Sequence, residues 1–198
     1  SVYGYMATPA TEVDEPKPMT EYARNKLEGE DIVFAHEDAM DVVAVRSATC
    51  CGPALRMRLD TIINAFSASA YFDKMITVHG GDQYRTNLHV QDATDFYIQC
   101  LEAEGELING EAFNITAGNN TAIELADMVT RYIPSKVSID ESRKDSRHYM
   151  MDGSKAKRIL GWTPTWSLNE AVIDNYRWFA AGHIKDHRDP LWHNTLRM

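Results

Sequence analysis

The sequence predicts an α/β protein whose sheet is mainly parallel. Runs rich in β-branched residues, such as residues 41–48, alternate along the chain with segments whose apolar residues recur at helical spacing. Two helix starts carry a capping box, Thr121 with Glu124 and Ser167 with Glu170, in which each side chain bonds the backbone of the other residue. Because strands and helices alternate, we expect helices to cover the faces of a parallel sheet.

The predicted elements follow one another with short connections. In chain order they are a helix capped by Thr20 and reaching about residue 39, a strand at 41–48, a helix at 59–73, strands at 75–79 and 85–90, a helix at 91–104, a strand at 112–115, and helices after Thr121, from Asp152 to Gly161 and from Ser167 to near Gly182. The polar tail after Gly182 is expected to be loosely held.

Composition and charge narrow the classes of function. With 198 residues, 44% of them hydrophobic and 25% charged, the chain has the composition of an ordinary globular protein. Its formal net charge of −9 argues against a nucleic-acid partner, because phosphate backbones are bound through clustered lysine and arginine. No stretch approaches the about 18 consecutive apolar residues of a membrane span, so no membrane partner is expected.

The cysteines and histidines point to neither a disulfide framework nor a metal site. Cys50, Cys51 and Cys100 have no C-x-x-C spacing, and this cysteine usage predicts the reducing cytoplasm. His183, His187 and His193 lie in the tail without cysteine or acidic partners at ligand spacing, so no metal is expected.

Tyr22 and Lys26 are four residues apart, which places both side chains on one face of the first predicted helix. A phenol with a pKa near 10 is a poor base at neutral pH, and lowering that pKa by about 3 units requires roughly 4 kcal/mol of phenolate stabilisation. A lysine ammonium one turn away is a suitable source. By itself the motif is weak, because about 0.4 such pairs are expected by chance, and a solvated surface pair is the alternative.

Six separated segments, taken together, resemble the extended short-chain dehydrogenase/reductases of the NAD-dependent epimerase/dehydratase family, in particular its UDP-glucose 4-epimerase-like members. They are SVYG at 1–4, YARNK at 22–26, VRSATCCGP at 45–53, RTNLHVQD at 85–92, FNITAG at 113–118 and DSRHYMMDGSKAKRILGWTP at 145–164. The resemblance implies the C-terminal part of a Rossmann-type parallel sheet, formed by residues 1–51 and 86–118. It also implies a smaller α/β substrate-binding domain at 52–85 and 119–182, followed by a tail at 183–198.

The Gly-rich dinucleotide fingerprint of this family is missing from the sequence. The resemblance therefore implies that this chain is the C-terminal portion of a longer enzyme and that this portion is inactive by itself. In the family, the catalytic Ser or Thr lies two residues before the position of Ser1. Ser1 itself stands where the sugar 4,6-dehydratases carry Glu, which disfavours a dehydratase.

The resemblance also implies the roles of individual residues. Tyr22 is the expected base and then acid, Lys26 its electrostatic partner and a ligand of the nicotinamide ribose, and Ala48 a further contact of the cofactor. The expected substrate-binding residues are Thr49, Asn64, Arg85, Arg143, Asp145, Arg147 and Tyr149. Arginine suits the diphosphate because its planar fork makes two parallel charge-assisted hydrogen bonds. Two departures stand out, since Thr49 replaces the usual substrate-contacting Asn and Arg143 is displaced by one position.

The leading function is therefore an NAD-dependent epimerase of nucleotide-diphosphate sugars that transiently oxidises a sugar hydroxyl, usually at C4. NADP remains open as the cofactor. A 4,6-dehydratase or a ketoreductase acting on the same substrates is the alternative within enzymology. A non-catalytic fragment that binds sugar nucleotides is the alternative from another class. The family also implies a homodimer for the intact enzyme.

Overall fold

The computed structural model describes residues 2–143 and 148–194 of the chain. The helices are α1 (Glu21–Phe34), α2 (Ile62–Ala68), which continues as a π-helical turn (Ser69–Asp73), α3 (Val90–Glu102), α4 (Gly105–Ile108), α5 (Ala122–Tyr132), α6 (Ser154–Leu160), α7 (Leu168–Ala180) and a 3₁₀ turn (Pro190–Trp192). The strands are β1 (Val43–Ser47), β2 (Thr49–Cys51), β3 (Met75–His79), β4 (Tyr84–His89), β5 (Glu111–Ile115), β6 (Gly118–Thr121) and β7 (Lys136–Asp140).

Among the described residues these strands form three small sheets. β1 pairs with β5, β3 pairs with β7, and β4 lies between β2 and β6. All pairings are parallel except that of β4 with β6. The α/β class with a mainly parallel sheet is thus confirmed.

Helix starts agree best with the prediction because their signals are local. The Thr20 hydroxyl accepts a hydrogen bond from the Ala23 N–H at 3.1 Å and begins α1. Both predicted capping boxes are present, at the starts of α5 and α7. The end of α1 is earlier than expected, at Phe34. Only Ala23 of this fully described helix is buried, so its last turn has little tertiary packing to hold it.

Three strands, β2, β6 and β7, are absent from the predicted elements. β6 reads Gly-Asn-Asn-Thr, residues with little preference for extended structure apart from the threonine. It forms antiparallel pairs with β4, in which Asn87 lies opposite Gly118. Pairing with a neighbouring strand, rather than local propensity, therefore produces β6.

The core consists mainly of two apolar clusters. One lies among α2, α5, α7 and β3 and includes Ile76, Leu125 and Val172. The other lies between α3 and the pair β1 and β5 and includes Phe96 and Phe113. β4 runs unbroken between β2 and β6, across the predicted domain boundary at 85/86. The domain boundaries stay a prediction.

The expectation of a loosely held tail is wrong for residues 183–194. Ile184 is only 2% exposed and completes an apolar cluster with Met57, Leu59 and Phe179. The backbone N–H of Leu59 donates to the carbonyl of Trp192 at 2.8 Å. Apolar side chains placed among polar neighbours thus attach the tail to the fold.

In the portion of the chain that the structure describes, no helix is both long enough and apolar enough to cross a membrane.

Candidate active site

Tyr22 and Lys26 lie on one face of α1, as the spacing predicts. The Lys26 Nζ is 5.6 Å from the centroid of the Tyr22 ring. Tyr22 is 63% exposed, so the phenol is accessible from solvent. The lysine ammonium and the tyrosine ring are therefore neighbours on one solvent-exposed face of the helix.

A network of polar side chains attaches α1 to β1. The Arg46 guanidinium, on β1, forms a two-pronged ion pair with the carboxylate of Glu30 on α1. It also donates to the Tyr3 hydroxyl at 2.8 Å, and that hydroxyl donates to the Asn114 Oδ1 at 2.7 Å. Since α1 has little buried apolar surface, this network is a main attachment of the helix.

Ala48 and Thr49 follow the carboxyl end of β1, the edge at which parallel α/β sheets bind ligands. Ala48 is 4% exposed, and its backbone N–H donates to the Ile115 carbonyl at 2.9 Å. Thr49 begins β2 and lies beside Asn87 of β4 in the strand register. Both positions lie at the sheet edge that the resemblance assigns to ligands.

Arg85 and Tyr149 are brought together by the fold. The Arg85 Cζ lies 5.5 Å from the centroid of the Tyr149 ring, and its Nη1 donates to the Tyr84 carbonyl at 2.8 Å. The Tyr149 N–H donates to the same carbonyl at 3.4 Å. Two of the predicted substrate residues therefore form one cluster, although they lie far apart in the sequence.

Sequence reasoning missed three aromatic side chains next to this cluster. His148 contacts Tyr5, with ring centroids 5.0 Å apart, and Tyr84, with ring centroids 5.6 Å apart. These contacts bring the segment that precedes α1 close to the strand that carries Arg85. No spacing pattern in the sequence predicts these contacts, because each of them joins segments that are distant along the chain.

Asn64 does not belong to the cluster that Arg85 and Tyr149 form. It is 3% exposed, and its Oδ1 accepts from the Gly52 N–H and from the Asn175 Nδ2, each at 3.0 Å. Its Nδ2 donates to the Arg58 carbonyl at 3.0 Å. In this structure Asn64 joins α2 and α7 to the loop after β2, and its predicted contact with a diphosphate stays a prediction.

The remaining predicted substrate residues lie beyond β7. Arg143 is exposed, three residues after the end of that strand at Asp140. Nearby, the pKa of Asp140 is lowered, chiefly by the hydrogen bond from the Ser142 hydroxyl and to a smaller degree by the charge of Arg143. Asp145 and Arg147 lie outside the described residues.

His89 has a structural position at the start of α3. Its Nδ1 accepts from the Gln91 N–H at 3.0 Å, and its ring stacks on Trp166 with centroids 4.8 Å apart. Burial lowers the pKa of His89, while the nearby carboxylates of Asp174 and Asp92 act in the opposite direction. Within residues 2–143 and 148–194, no three His, Cys, Asp or Glu side chains are grouped as metal ligands.

Comparison with known proteins gives the family of the chain. The sequence model of the NAD dependent epimerase/dehydratase family matches residues 1–116. The chain is 27% identical over 158 residues to UDP-glucuronic acid decarboxylase 3 of Arabidopsis thaliana, covering 76% of this chain and 45% of that protein. It is also 27% identical over 183 residues to UDP-glucuronate 4-epimerase of Thermodesulfobacterium geofontis, covering 90% of this chain and 56% of that protein.

Among solved structures, UDP-glucuronic acid 4-epimerase from Bacillus cereus, in complex with UDP-glucuronic acid and NAD, superposes with a TM-score of 0.79. It is 24% identical, and the match covers 91% of this chain and 59% of that one. The fold is therefore that of the Rossmann-type nucleotide-sugar enzymes. The chain belongs to the NAD-dependent epimerase/dehydratase family. It spans about half the length of the curated relatives it matches, 45% and 56% of the two named above.

Proposed function

We propose that this chain belongs to an NAD-dependent nucleotide-sugar epimerase, in which Tyr22 and Lys26 support the transient oxidation of a sugar hydroxyl at C4. The observation that carries the proposal is the position of the Lys26 Nζ, 5.6 Å from the ring centroid of an exposed Tyr22. Family membership supports it, as do relatives named for the epimerisation and decarboxylation of UDP-glucuronate.

Tyr22 is the proton acceptor in this proposal. Its phenolate oxygen takes the proton of the sugar hydroxyl while the adjacent C–H bond breaks, and it later returns that proton to the reduced carbonyl. Lys26 stabilises the phenolate electrostatically, so the pair acts as one base. NAD, when bound, would supply the acceptor for the hydride that leaves the sugar carbon and the donor that returns it.

The side chains of α1 suit the nicotinamide end of that cofactor. Tyr22 and Lys26 are both exposed, and the Lys26 ammonium offers hydrogen-bond donors to ribose hydroxyls, while the Tyr22 oxygen offers an acceptor. Ala48 is buried, and its N–H is already bonded to Ile115, so van der Waals contact is the role left to it. The 198 residues contain no Gly-rich fingerprint for the pyrophosphate. The proposal therefore assigns only the nicotinamide side of the cofactor to this chain.

Arg85, Tyr149 and Thr49 are proposed to bind the nucleotide-sugar diphosphate and its sugar. The guanidinium of Arg85 donates to the Tyr84 carbonyl and lies beside the Tyr149 ring, and a guanidinium suits phosphate oxygens because of its charge and its planar fork of donors. Asn64, Arg143, Asp145 and Arg147 remain proposed as further contacts on the resemblance alone.

Binding and turnover test the proposal separately. Calorimetry with UDP-glucuronic acid and UDP-glucose is expected to give saturable binding to the chain, and the absence of any binding would exclude an intact substrate site. Interconversion of these sugars with NAD, followed by proton NMR in the protein that carries this chain, is expected to fall about 100-fold or more in Tyr22→Phe. Tyr132→Phe, a tyrosine on α5 away from the site, is the matched control. Equal turnover in Tyr22→Phe and the wild type would remove Tyr22 from the mechanism.

The second candidate is a binding module without catalysis, favoured by the missing fingerprint. It predicts the same calorimetric binding but no turnover in the wild type. A 4,6-dehydratase or a ketoreductase would instead yield a 4-keto-6-deoxy sugar or a reduced sugar in the same NMR assay.

We also propose that the intact enzyme is a homodimer in a cytoplasmic, reducing compartment. The exposed face of α1 supports the dimer, and three free cysteines support the compartment. Light scattering tests the dimer, and a monomer at micromolar concentration would contradict it.

A further inference from the structure

We propose that Arg46 is a positioning residue for the Tyr22 and Lys26 pair. By binding Glu30, it keeps that carboxylate from pairing with Lys26 and leaves the Lys26 ammonium beside Tyr22. This inference rests on the proposed function, because it concerns the pair that would transfer the proton.

The first observation is the spacing along α1. Tyr22, Lys26 and Glu30 follow one another at intervals of four residues, so they form one stripe along the helix. Lys26 and Glu30 also line the same crevice, of about 330 Å³, between α1 and β1. A lysine four residues before a glutamate can form an ion pair on a helix. Lys26 thus has two possible partners, one turn before it and one turn after it.

The second observation is that Glu30 already forms an ion pair with Arg46. The Arg46 Nε is 3.1 Å from one carboxylate oxygen, and its Nη2 bonds the other. The two side chains are only 11% and 10% exposed, which shields the pair from water. A fork of two parallel hydrogen bonds is a geometry that an ammonium cannot reproduce.

Arg46 is itself held in place from the other side. Its Nη1 donates to the Tyr3 hydroxyl at 2.8 Å and to the Glu12 carbonyl at 3.4 Å. The carboxylate of Glu12 accepts from the Asn114 N–H at 2.7 Å. Burial raises the pKa of Tyr3, so this phenol stays neutral near pH 7. Among the described residues, Glu30 therefore has Arg46 as its one cationic partner, and Lys26 takes part in no ion pair.

Loss of the Arg46 charge leaves a shielded carboxylate without its partner. An unpaired carboxylate in such a place attracts the nearest mobile cation, and Lys26 is one helical turn away. When the ammonium moves toward Glu30, the Tyr22 phenolate loses its counter-charge. The proton transfer proposed for Tyr22 then becomes slower, because the charge that develops on its oxygen has no cation beside it.

The experiment measures by NMR the ring-current shift that the Tyr22 ring imposes on the ε-methylene protons of Lys26, in protein labelled with ¹³C at lysine, with Lys26→Arg used for assignment and Tyr22→Leu as the reference without the ring. Arg46→Met is expected to lose most of this shift, because the ammonium moves from the Tyr22 ring toward Glu30. Arg46→Lys, which keeps a cation next to Glu30, is expected to lose less of it. Adding Glu30→Gln to Arg46→Met removes the competing carboxylate, and we expect the shift to return to the wild-type value.

Circular dichroism verifies that the variants remain folded. If Arg46→Met does not fold, Arg46→Gln, which keeps a donor for Tyr3 but carries no charge, replaces it with the same expectations. An unchanged ring-current shift of Lys26 in the folded single variant would overturn the inference. So would a loss of this shift that persists when Glu30→Gln is added, because that result would indicate a general loosening of α1. These readouts need neither substrate nor turnover, so failure of the proposed function would be seen separately in the binding and turnover assays.

Discussion

The guanidinium of Arg85 lies beside the aromatic ring of Tyr149, with its Cζ 5.5 Å from the ring centroid. A cation at this distance from an aromatic ring is attracted by its electron-rich face. Arg85 is 4% exposed, and its Nη1 is tied to the Tyr84 carbonyl. The side chain is therefore held in one orientation, and little conformational entropy remains to be lost when an anion binds.

Arg85→Met is expected to weaken the binding of UDP-glucuronic acid by about 10- to 100-fold, since a hydrogen bond to a charged group contributes about 1.5–3 kcal/mol. Methionine retains much of the apolar stem but removes the charge. The affinity of Arg85→Lys should lie between those of Arg85→Met and the wild type, because lysine keeps the charge but lacks the planar fork of donors. Calorimetry measures the affinity, and Arg158→Met, an exposed arginine on α6, is the control. Unchanged affinity in folded Arg85→Met would rule out the diphosphate contact.

Asn175→Ala is expected to lower the free energy of unfolding by about 1–3 kcal/mol, because it removes a buried hydrogen bond to the Asn64 Oδ1. Asn64→Ala should have an effect of similar size, and the double variant should lose less than the sum of the two. Urea unfolding measures all three, with the exposed Asn25→Ala as control. If Asn64→Ala instead lowered sugar-nucleotide affinity at unchanged stability, the predicted diphosphate contact would be supported.

The free energy of unfolding is expected to fall as the pH drops below about 6.5, in part because of His89. Burial lowers the pKa of His89 in the folded chain, whereas the unfolded imidazole titrates near 6.5. Between these two values the unfolded chain binds a proton that the folded chain does not, so stability present above about pH 6.5 is lost as the pH falls toward the folded pKa.

The slope from His89 is at most about 1.4 kcal/mol per pH unit. His89→Asn keeps an acceptor for the Gln91 N–H and should flatten the slope in urea unfolding between pH 7.5 and 5.5. Thr94→Ala, at an exposed position on α3 that carries no titratable group, should leave the slope as it is. If the unfolding free energy of His89→Asn had the same pH slope as that of the wild type, groups other than His89 would cause the pH dependence.

Ile184→Ala is expected to cost about 2–5 kcal/mol of unfolding free energy, because it opens a cavity beside Met57, Leu59 and Phe179. Ile98→Ala, at a position on α3 that is 48% exposed, is the matched control and should change stability by less than about 1 kcal/mol. Differential scanning fluorimetry or urea unfolding measures both. Equal stability of Ile184→Ala and the wild type would mean that the tail does not contribute to the folded core.

Local signals account for the parts of the fold that were predicted correctly. The Thr20 cap and the two capping boxes act within four residues, so the sequence carries all the atoms involved. The same holds for Tyr22 and Lys26, which one turn of helix places on one face. The order of strand-like and helical segments was sufficient for the α/β class.

Contacts between distant segments explain the rest. β6 has weak strand propensity and exists because β4 offers a free edge, while the tail is ordered by Ile184 entering a cluster built from α2 and α7. The pairing of Arg46 with Glu30, the position of Arg85 beside Tyr149 and the burial of Asn64 against Asn175 likewise depend on chain packing. Hydrogen bonds and ion pairs act over a few ångströms, so a linear sequence can supply the groups, but only the folded chain selects which of them meet.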